Sequence, residues 1–296
     1  AALEVAGRGV AAPPIAVIAM GRWGGRELAY ASDADAMFVA ADSDDPGATK
    51  AAMTVISRLR SLLSRPGPDP ALEIDIDLRP EGKGGALVRS LSSYRAYYAR
   101  WSSTWEAQAL LRAGVGAGDR DLGAALLASI DAIRYPEAGL ARAQVLEIRK
   151  LKARMEAERL PRGGDPSGHV KLGPGGLSDV EWVVQLLQLQ HAAALPGLRT
   201  TNTLAALAVA VENELVTVDD AEALRSAWVL ASRIRNAVML LRGRVGDRLP
   251  TDSRELSAVA QVLGYAKGES SLLVEDYRRH ARMARQVMDR LFWGAP

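Results

Sequence analysis

The fold is decided by the stretch Gly21–Phe38, which reads GRWGGRELAYASDADAMF. An apolar run, Ile15–Met20, precedes it, and a second one, Ala36–Ala41, begins within it; both are typical of short buried strands. Asp33 and Asp35 stand at the entry to the second run. Because residues i and i+2 of a strand point to the same side, the two carboxylates are predicted to project together.

Two neighbouring carboxylates repel each other, and a divalent cation would relieve that repulsion. The chain has no cysteine and only three histidines. A site built from oxygen ligands therefore suits Mg²⁺ rather than zinc. Asp75, on the polar face of the next strand pattern, is the predicted third ligand, and three carboxylates can hold two metal ions. One metal would activate an attacking hydroxyl, and the other would bind the leaving pyrophosphate.

The third strand pattern is LEIDIDLR, residues 72–79, with apolar and polar side chains in strict alternation. Its polar face carries Asp75, Asp77 and Arg79. Two alternatives stay open for these carboxylates. A D-x-D pair is also common at a solvated strand edge, and Asp75 with Asp77 could form the wet face of an antiparallel sheet.

Gly24 and Gly25 lie between a strand and a segment that can form a helix. Glycines at such a place let backbone N–H groups approach a triphosphate at a helix N-terminus. A simple turn is the alternative for the Gly-Gly pair. Arg79 and Lys83 could contact the triphosphate or the leaving pyrophosphate, since arginine binds phosphate with two hydrogen bonds and lysine acts as a point charge. A solvated strand end and turn is the alternative for both.

The remaining sequence predicts an α+β protein in two parts. Residues 48–63 have helical spacing, and from about residue 90 nearly every segment has apolar residues three or four positions apart. We expect a small mixed sheet with helices over residues 1–135 and an all-α bundle over residues 136–296. The helical segments are SLSSYRAYYARWSSTWEAQALLRA, GLARAQVLEIRKLKARMEAER, LSDVEWVVQLLQLQHAAA, TLAALAVAVENEL, AEALRSAWVLASRIRNAVMLLRG and LLVEDYRRHARMARQVMDRLF.

Composition limits the partners. With 37 basic and 35 acidic residues the chain lacks the basic excess typical of nucleic-acid binding. No apolar run reaches the roughly 18–20 residues of a membrane span. The absence of cysteine fits a reducing cytoplasm, and the first residues do not resemble a signal peptide. Small molecules and proteins are therefore the expected partners.

The order of strand, Gly-Gly, helix, D-x-D strand, helix and Asp-bearing strand resembles the nucleotidyltransferase superfamily that includes polymerase β. Three blocks make the resemblance more specific, because they are similar to motifs of the bifunctional glutamine synthetase adenylyltransferase/adenylyl-removing family. They are GRWGGRELAYASDADAMF, IDIDLRPEGKGGALVRS and HVKLGPGGLSDVEWVVQLLQLQH. A fourth stretch, STWEAQALLRAGVGAGD, resembles the adenylylating half of that family, which is its C-terminal module.

The resemblance implies transfer of AMP from ATP to a tyrosine hydroxyl of glutamine synthetase. It also implies that the full-length protein is a multifunctional enzyme that regulates nitrogen metabolism. It implies PII signal protein as a partner through the full-length enzyme. Asp33, Asp35 and Asp75 carry over as metal ligands and catalytic residues, with Asp75 a candidate base. Gly24 and Gly25 carry over as the phosphate loop, with Ser32 beside the D-x-D pair. Arg79, Lys83 and Lys171 are further candidate nucleotide-binding residues. Trp23 departs from the usual Leu. Asp77 stands where the family often has Arg, and it competes with Asp75 as the third ligand.

Several residues have simpler interpretations. Ser178 and Glu181 fit a capping box, which would explain the VKLGPGGLSDVEW stretch without a nucleotide. Helical spacing makes the aromatic cluster around Tyr94 and Tyr98 a packing feature, with base stacking by one member as the alternative. The three histidines are too scattered to form a metal site. The basic run on the last helix (Arg278, Arg279, Arg282 and Arg285) is interpreted as a solvated face, with partner docking as the alternative.

Two other functions compete with AMP transfer. The same superfamily site could run the adenylyl-removing reaction, in which phosphate strips AMP from the modified tyrosine. A non-catalytic module that binds nucleotide or PII would keep the fold without metal chemistry. The cluster of three carboxylates disfavours the second of these, because such a cluster is costly without a cation.

Overall fold

The computed structural model describes residues 1–30, 32–67, 70–101, 103–160 and 165–295. It divides into two compact units. The first comprises Ala1–Gly139 with Arg199–Asn202, and the second comprises Leu140–Leu198 with Thr203–Pro296. The boundary that the sequence predicts, between residues 135 and 136, remains our proposal for the functional division. In the described part of the chain, no helix combines the length and apolar character needed to cross a membrane.

A small mixed sheet forms the centre of the first unit, in the order β3-β2-β1-β5, with β4 also pairing with β2. β1 is antiparallel to β2 and to β5, whereas β3 and β4 run parallel to β2. The predicted α+β class with a mixed sheet is confirmed. The strands are β1 Ile15–Ala19, β2 Ala34–Ala40, β3 Ile74–Asp75, β4 Arg89–Ser90 and β5 Gly114–Gly118.

Helices cover both faces of this sheet. On β2, Ala36, Phe38 and Ala40 pack with α3, while Met37 and Val39 pack with α4 and α6 on the opposite face. Asp35 therefore lies on the same face of the sheet as Met37, near the N-terminal end of β2. The helices of this unit are α1 Ala2–Gly7, α2 Gly21–Gly24, α3 Ala48–Leu63, α4 Leu91–Trp101, α5 Thr104–Leu110 and α6 Arg120–Arg134.

The predicted strand over residues 72–79 is wrong in its length. Only Ile74 and Asp75 pair with β2, and the chain then turns, with the N–H of Asp77 donating to Oδ1 of Asp75 at 2.7 Å. The apolar residues of the predicted strand do not all lie on one face of the sheet either. Ile76 packs with the core on the α3 side, and Leu78 packs with the core on the other side.

The strand β5 is absent from the sequence prediction, which treated this region as helical. Its sequence, GVGAG, has low strand propensity. The glycines are needed for close approach, because a Cβ at Gly116 would lie 2.9 Å from the ring of Trp23. Gly118 has a φ of +84°, which disfavours other residues.

The second unit is built from helices, as predicted. Its core lies among α8, α10, α11 and α12, and contains Ile234, Leu273 and Tyr277. Thr217 and Asp252 cap α10 and α11 through their side-chain oxygens. The helices are α7 Arg142–Arg159, α8 Leu177–His191, α9 Thr203–Glu212, α10 Val218–Arg242, α11 Ser253–Val262 and α12 Ser270–Met288.

Candidate active site

Asp35 and Asp75 are brought together by the parallel pairing of β2 with β3. They are register partners, one step beyond the pair Ala34–Ile74. Partners in neighbouring strands place their side chains on the same face of the sheet. Both side chains are partly buried. Two of the three predicted carboxylates are therefore neighbours, although the strand that carries Asp75 is far shorter than expected.

Asp33 lies differently from the prediction. The strand β2 begins at Ala34, so the rule that residues i and i+2 share a face does not apply to Asp33 and Asp35. Asp33 is exposed, and it lines an open cleft of about 310 Å³ together with Glu73, Asp75 and Asp77. Two cationic side chains, Arg60 and Lys83, line the same cleft.

These carboxylates do not form a complete metal cage. Over residues 1–30, 32–67, 70–101, 103–160 and 165–295, no three acidic or histidine side chains are placed so that they could hold one ion. Asp35 and Asp75 nevertheless occupy paired positions of neighbouring strands, with their side chains on the same face of the sheet. Mg²⁺ is commonly held by one or two carboxylates, with substrate phosphates and water completing its octahedron. The pair fits a Mg²⁺ ion, whereas the predicted set of three is not assembled.

Sequence reasoning missed Gly21, which faces Asp35 directly. Gly21 has a φ of +51°, and a Cβ at this position would overlap Oδ2 of Asp35 and lie 2.9 Å from its Cγ. The N–H of the preceding residue, Met20, donates to the backbone oxygen of Asp35 at 2.8 Å. The absence of a side chain at Gly21 therefore lets the Asp35 carboxylate lie against the start of α2. A lone glycine after a buried strand was the only signal for this in the sequence.

Gly24 and Gly25 do not present free N–H groups to a phosphate. The N–H of Gly24 donates to Met20 and that of Gly25 donates to Gly21, within the single turn of α2. A Cβ at Gly24 would collide with backbone oxygens, including that of Ala19 at 2.7 Å. At Gly25 it would meet the side chain of Arg112. Internal packing explains both glycines, and this corrects the predicted phosphate loop.

The predicted role of Arg79 in binding the triphosphate is also corrected. Its side chain is buried, and its guanidinium donates to the backbone oxygens of Ile76, Lys83 and Gly85 at 2.6, 3.0 and 3.0 Å. These bonds close the turn that follows β3. Arg79 therefore shapes the loop beside Asp75 and does not face the cleft. Lys83 remains at the cleft, exposed and paired with Asp77 at 3.4 Å.

Two other predicted nucleotide ligands stay predictions. Ser32 is partly exposed, and its N–H donates to Ala29. Lys171 belongs to the second unit, in the turn before α8, and its backbone oxygen accepts from Ser178 at 2.9 Å. Its side chain is partly exposed.

The predicted capping box at Ser178 and Glu181 is wrong. The N-cap of α8 is Gly176, and Ser178 is buried inside the first turn. The hydroxyl of Ser178 instead accepts a hydrogen bond from Lys152 at 3.2 Å. The same ammonium group lies 2.6 Å from Asp179, and both side chains are fully buried. The SDVEW stretch is thus explained by a buried ion pair between α7 and α8.

The aromatic cluster is a packing feature. Tyr94 and Tyr98 are buried against the sheet, and the hydroxyl of Tyr94 donates to the backbone oxygen of Phe38 at 3.2 Å. Burial raises the pKa of both hydroxyls well above the usual value. Trp101 is 60% exposed. The base-stacking alternative for one member of the cluster stays a prediction.

Family models and similar proteins match nearly all of the described chain. Residues 4–129 match the family model of glutamate-ammonia ligase adenylyltransferase, and residues 149–292 match that of GlnD PII-uridylyltransferase. Among similar proteins, those of Cutibacterium acnes, Streptomyces avermitilis and Mycobacterium avium are 55%, 58% and 50% identical over 95%, 95% and 96% of the chain. Each is named bifunctional glutamine synthetase adenylyltransferase/adenylyl-removing enzyme.

The chain spans 28%, 28% and 29% of the length of these three relatives. The match nevertheless covers both compact units, since it includes nearly all of the chain. The first family model lies on the unit with the sheet, where Asp35 and Asp75 are paired. The chain therefore belongs to the family of bifunctional glutamine synthetase adenylyltransferase/adenylyl-removing enzymes.

Proposed function

We propose that this chain transfers AMP from ATP to a tyrosine hydroxyl of glutamine synthetase, releasing pyrophosphate. The names of its relatives support the reaction and the protein substrate. The observation that carries the proposal is the register pairing of Asp35 with Asp75, which places two carboxylates side by side within the region that matches the adenylyltransferase model. A cytoplasmic location, and PII as a partner of the whole enzyme, belong to the same proposal.

Asp35 and Asp75 would hold Mg²⁺. When bound, the ion would neutralise charge on the triphosphate and lower the pKa of a coordinated hydroxyl. The two carboxylates would complete their site with oxygens of ATP, in keeping with the small number of protein ligands that Mg²⁺ usually takes. A second ion, with Asp33 as an additional ligand, remains part of the proposal.

The remaining roles belong to side chains of the cleft. The N–H of Asp77 binds Oδ1 of Asp75, so the tyrosine proton would move to Oδ2 of Asp75. That hydrogen bond, together with the ion pair between Asp77 and Lys83, supports Asp75 rather than Asp77 as the carboxylate that reacts. Lys83 lines the cleft beside Asp75 and would attract the triphosphate. Ser32 and Lys171 are proposed as further nucleotide contacts.

The test is transfer of labelled AMP from ATP to purified glutamine synthetase in the presence of Mg²⁺. We expect Asp35→Asn and Asp75→Asn each to lower the rate by at least about a hundredfold, because each removes a charge at the reacting centre. Asp44→Asn, at an exposed position in the turn after β2, is the matched control and should retain the rate. Absence of labelling by the folded wild-type chain would contradict the proposal.

A second candidate is the adenylyl-removing reaction, because the names of the relatives include it. Incubating modified glutamine synthetase with phosphate separates the two reactions, since only the removing activity yields ADP. A non-catalytic module that binds nucleotide or PII would instead keep nucleotide binding in the Asp35→Asn variant and label no protein.

A further inference from the structure

The helical unit contains a basic pocket that the proposed reaction does not use. The pocket has a volume of about 370 Å³. Arg278, Arg282 and Arg285 of α12 form one wall, and Ser167 and Pro174, in the segment before α8, form the other. Ala281 and Gln286 of α12 complete the lining, and we call these seven residues the basic pocket.

The three arginines lie on one face of α12. Their spacing of four and three residues places them along about 10 Å of the helix, at 1.5 Å per residue. The neighbouring Arg279 is not part of the pocket, and its guanidinium pairs with Asp276 at 2.7 Å. The basic run in the sequence is therefore divided, with three members facing a concave surface and one outside it.

The three arginines differ in how far they are already neutralised. Arg285 pairs with Asp179 and Glu156 at 3.2 Å and with Asp289 at 2.9 Å. Arg278 reaches Asp165 at 3.5 Å, and both side chains are more than half exposed.

Arg282 has the greatest capacity for a ligand. It is exposed, and among the described residues it makes no hydrogen bond or ion pair. The described lining of the pocket contains three cations and no acidic side chain. The pocket therefore keeps uncompensated positive charge at Arg282.

We propose that the basic pocket binds a small organic molecule with two anionic groups, phosphoryl or carboxylate. Arg282 would bind one anionic group with two hydrogen bonds, and Arg278, which is more than half exposed, would bind the other. The spacing of the arginines suits two anionic groups better than one. Pro174 and Ala281 supply apolar surface for the body of the ligand between them. The basic pocket belongs to the second unit and the paired carboxylates belong to the first, and the proposal does not depend on the proposed reaction.

Calorimetric titration of the 296-residue chain tests this, with pyrophosphate and succinate as separate probes. EDTA is included to prevent metal-dependent binding of pyrophosphate at the carboxylates. We expect saturable binding of at least one probe, and the probe that binds distinguishes phosphoryl from carboxylate recognition. Arg282→Gln should weaken binding by about tenfold or more, because it removes charged hydrogen bonds.

Arg279→Gln is the matched control, since it removes the same charge from the same helix outside the pocket. It should change the dissociation constant by less than about twofold. Among the described residues Arg282 makes no hydrogen bond or ion pair, so thermal unfolding of the Gln variant should match that of the wild type. The proposal is overturned if neither probe binds with a dissociation constant below about 1 mM. It is equally overturned if both variants weaken binding to the same extent.

Discussion

A methyl group at Gly21 should disturb the proposed active site through one side chain. In the Gly21→Ala variant the new Cβ would lie 2.9 Å from Cγ of Asp35, whereas ordinary contacts begin at about 3.4 Å. The Asp35 carboxylate must therefore retreat by about 0.5 Å at Cγ (3.4 − 2.9), and further at Oδ2, which the Cβ overlaps.

The size of the effect follows from two separate terms. The left-handed conformation of residue 21 costs an alanine about 1 kcal/mol of folding stability. A misplacement of about 1 Å at a reacting group costs about a hundredfold in rate. A shift of about half that distance should therefore lower the rate of AMP transfer by about tenfold to a hundredfold, while most of the protein remains folded.

Gly9 offers a control that separates the two terms. Its φ is +71°, and a Cβ there would meet nothing within 4 Å. Gly9→Ala therefore shares the backbone strain without any contact to the site. The two variants should lose similar stability in urea, and Gly21→Ala alone should lose AMP transfer to glutamine synthetase. Equal rates for the two folded variants would refute the role assigned to the contact between Gly21 and Asp35.

Three further predictions concern the stability of the two units, each measured by denaturant unfolding. Lys152→Met should lower the free energy of unfolding by about 3–5 kcal/mol, because it leaves the fully buried Asp179 without its nearest cation. The control Lys150→Met, at an exposed position, should lower it by less than about 0.5 kcal/mol. Equal losses would contradict a buried ion pair. Arg79→Lys should lower the free energy of unfolding by about 1–3 kcal/mol, because an ammonium group cannot reach the three carbonyls that the guanidinium binds. An unchanged free energy would argue against a stabilising role for these three hydrogen bonds. Burial lowers the pKa of His169, whose Nδ1 accepts a hydrogen bond from the N–H of residue 172, so the folding stability present above pH 6.5 should fall on acidification because the unfolded state binds the proton first. His169→Asn keeps an acceptor and should flatten the dependence of unfolding free energy on pH. An unchanged dependence would exclude His169 as its source.

The sequence predicted best where local pattern and tertiary packing agree. The helix α3 begins and ends at the residues that its periodicity indicated, Ala48 and Leu63. The strand β2 was expected over an apolar run, and its burial is nearly complete. Such segments bury a face wherever they lie, so their structure needs little information from the rest of the chain.

The failures share a physical cause, because each depends on a partner that is distant in the sequence. Glycine-rich β5 forms a strand by pairing with β1, and Gly116 leaves room there for the ring of Trp23. The helix α8 begins at Leu177, and the hydroxyl of Ser178 inside its first turn accepts from Lys152 of α7 instead of capping the helix. Local propensity contains no information about either contact.

The site shows the same division between what a pattern fixes and what a contact fixes. Alternation along a strand placed Asp33 with Asp35, but it holds only inside the strand, and β2 begins at Ala34. Asp75 lies beside Asp35 because β3 pairs with β2. The alternating pattern that predicted this strand continues to residue 79, although the chain already turns after Asp75, where Arg79 binds the backbone oxygen of Ile76. A pair of carboxylates is thus fixed by the sheet itself. Under the proposed function, a Mg²⁺ ion on that pair would take its further ligands from the nucleotide and from water, with Asp33 added for a second ion, which would link metal binding to ATP binding.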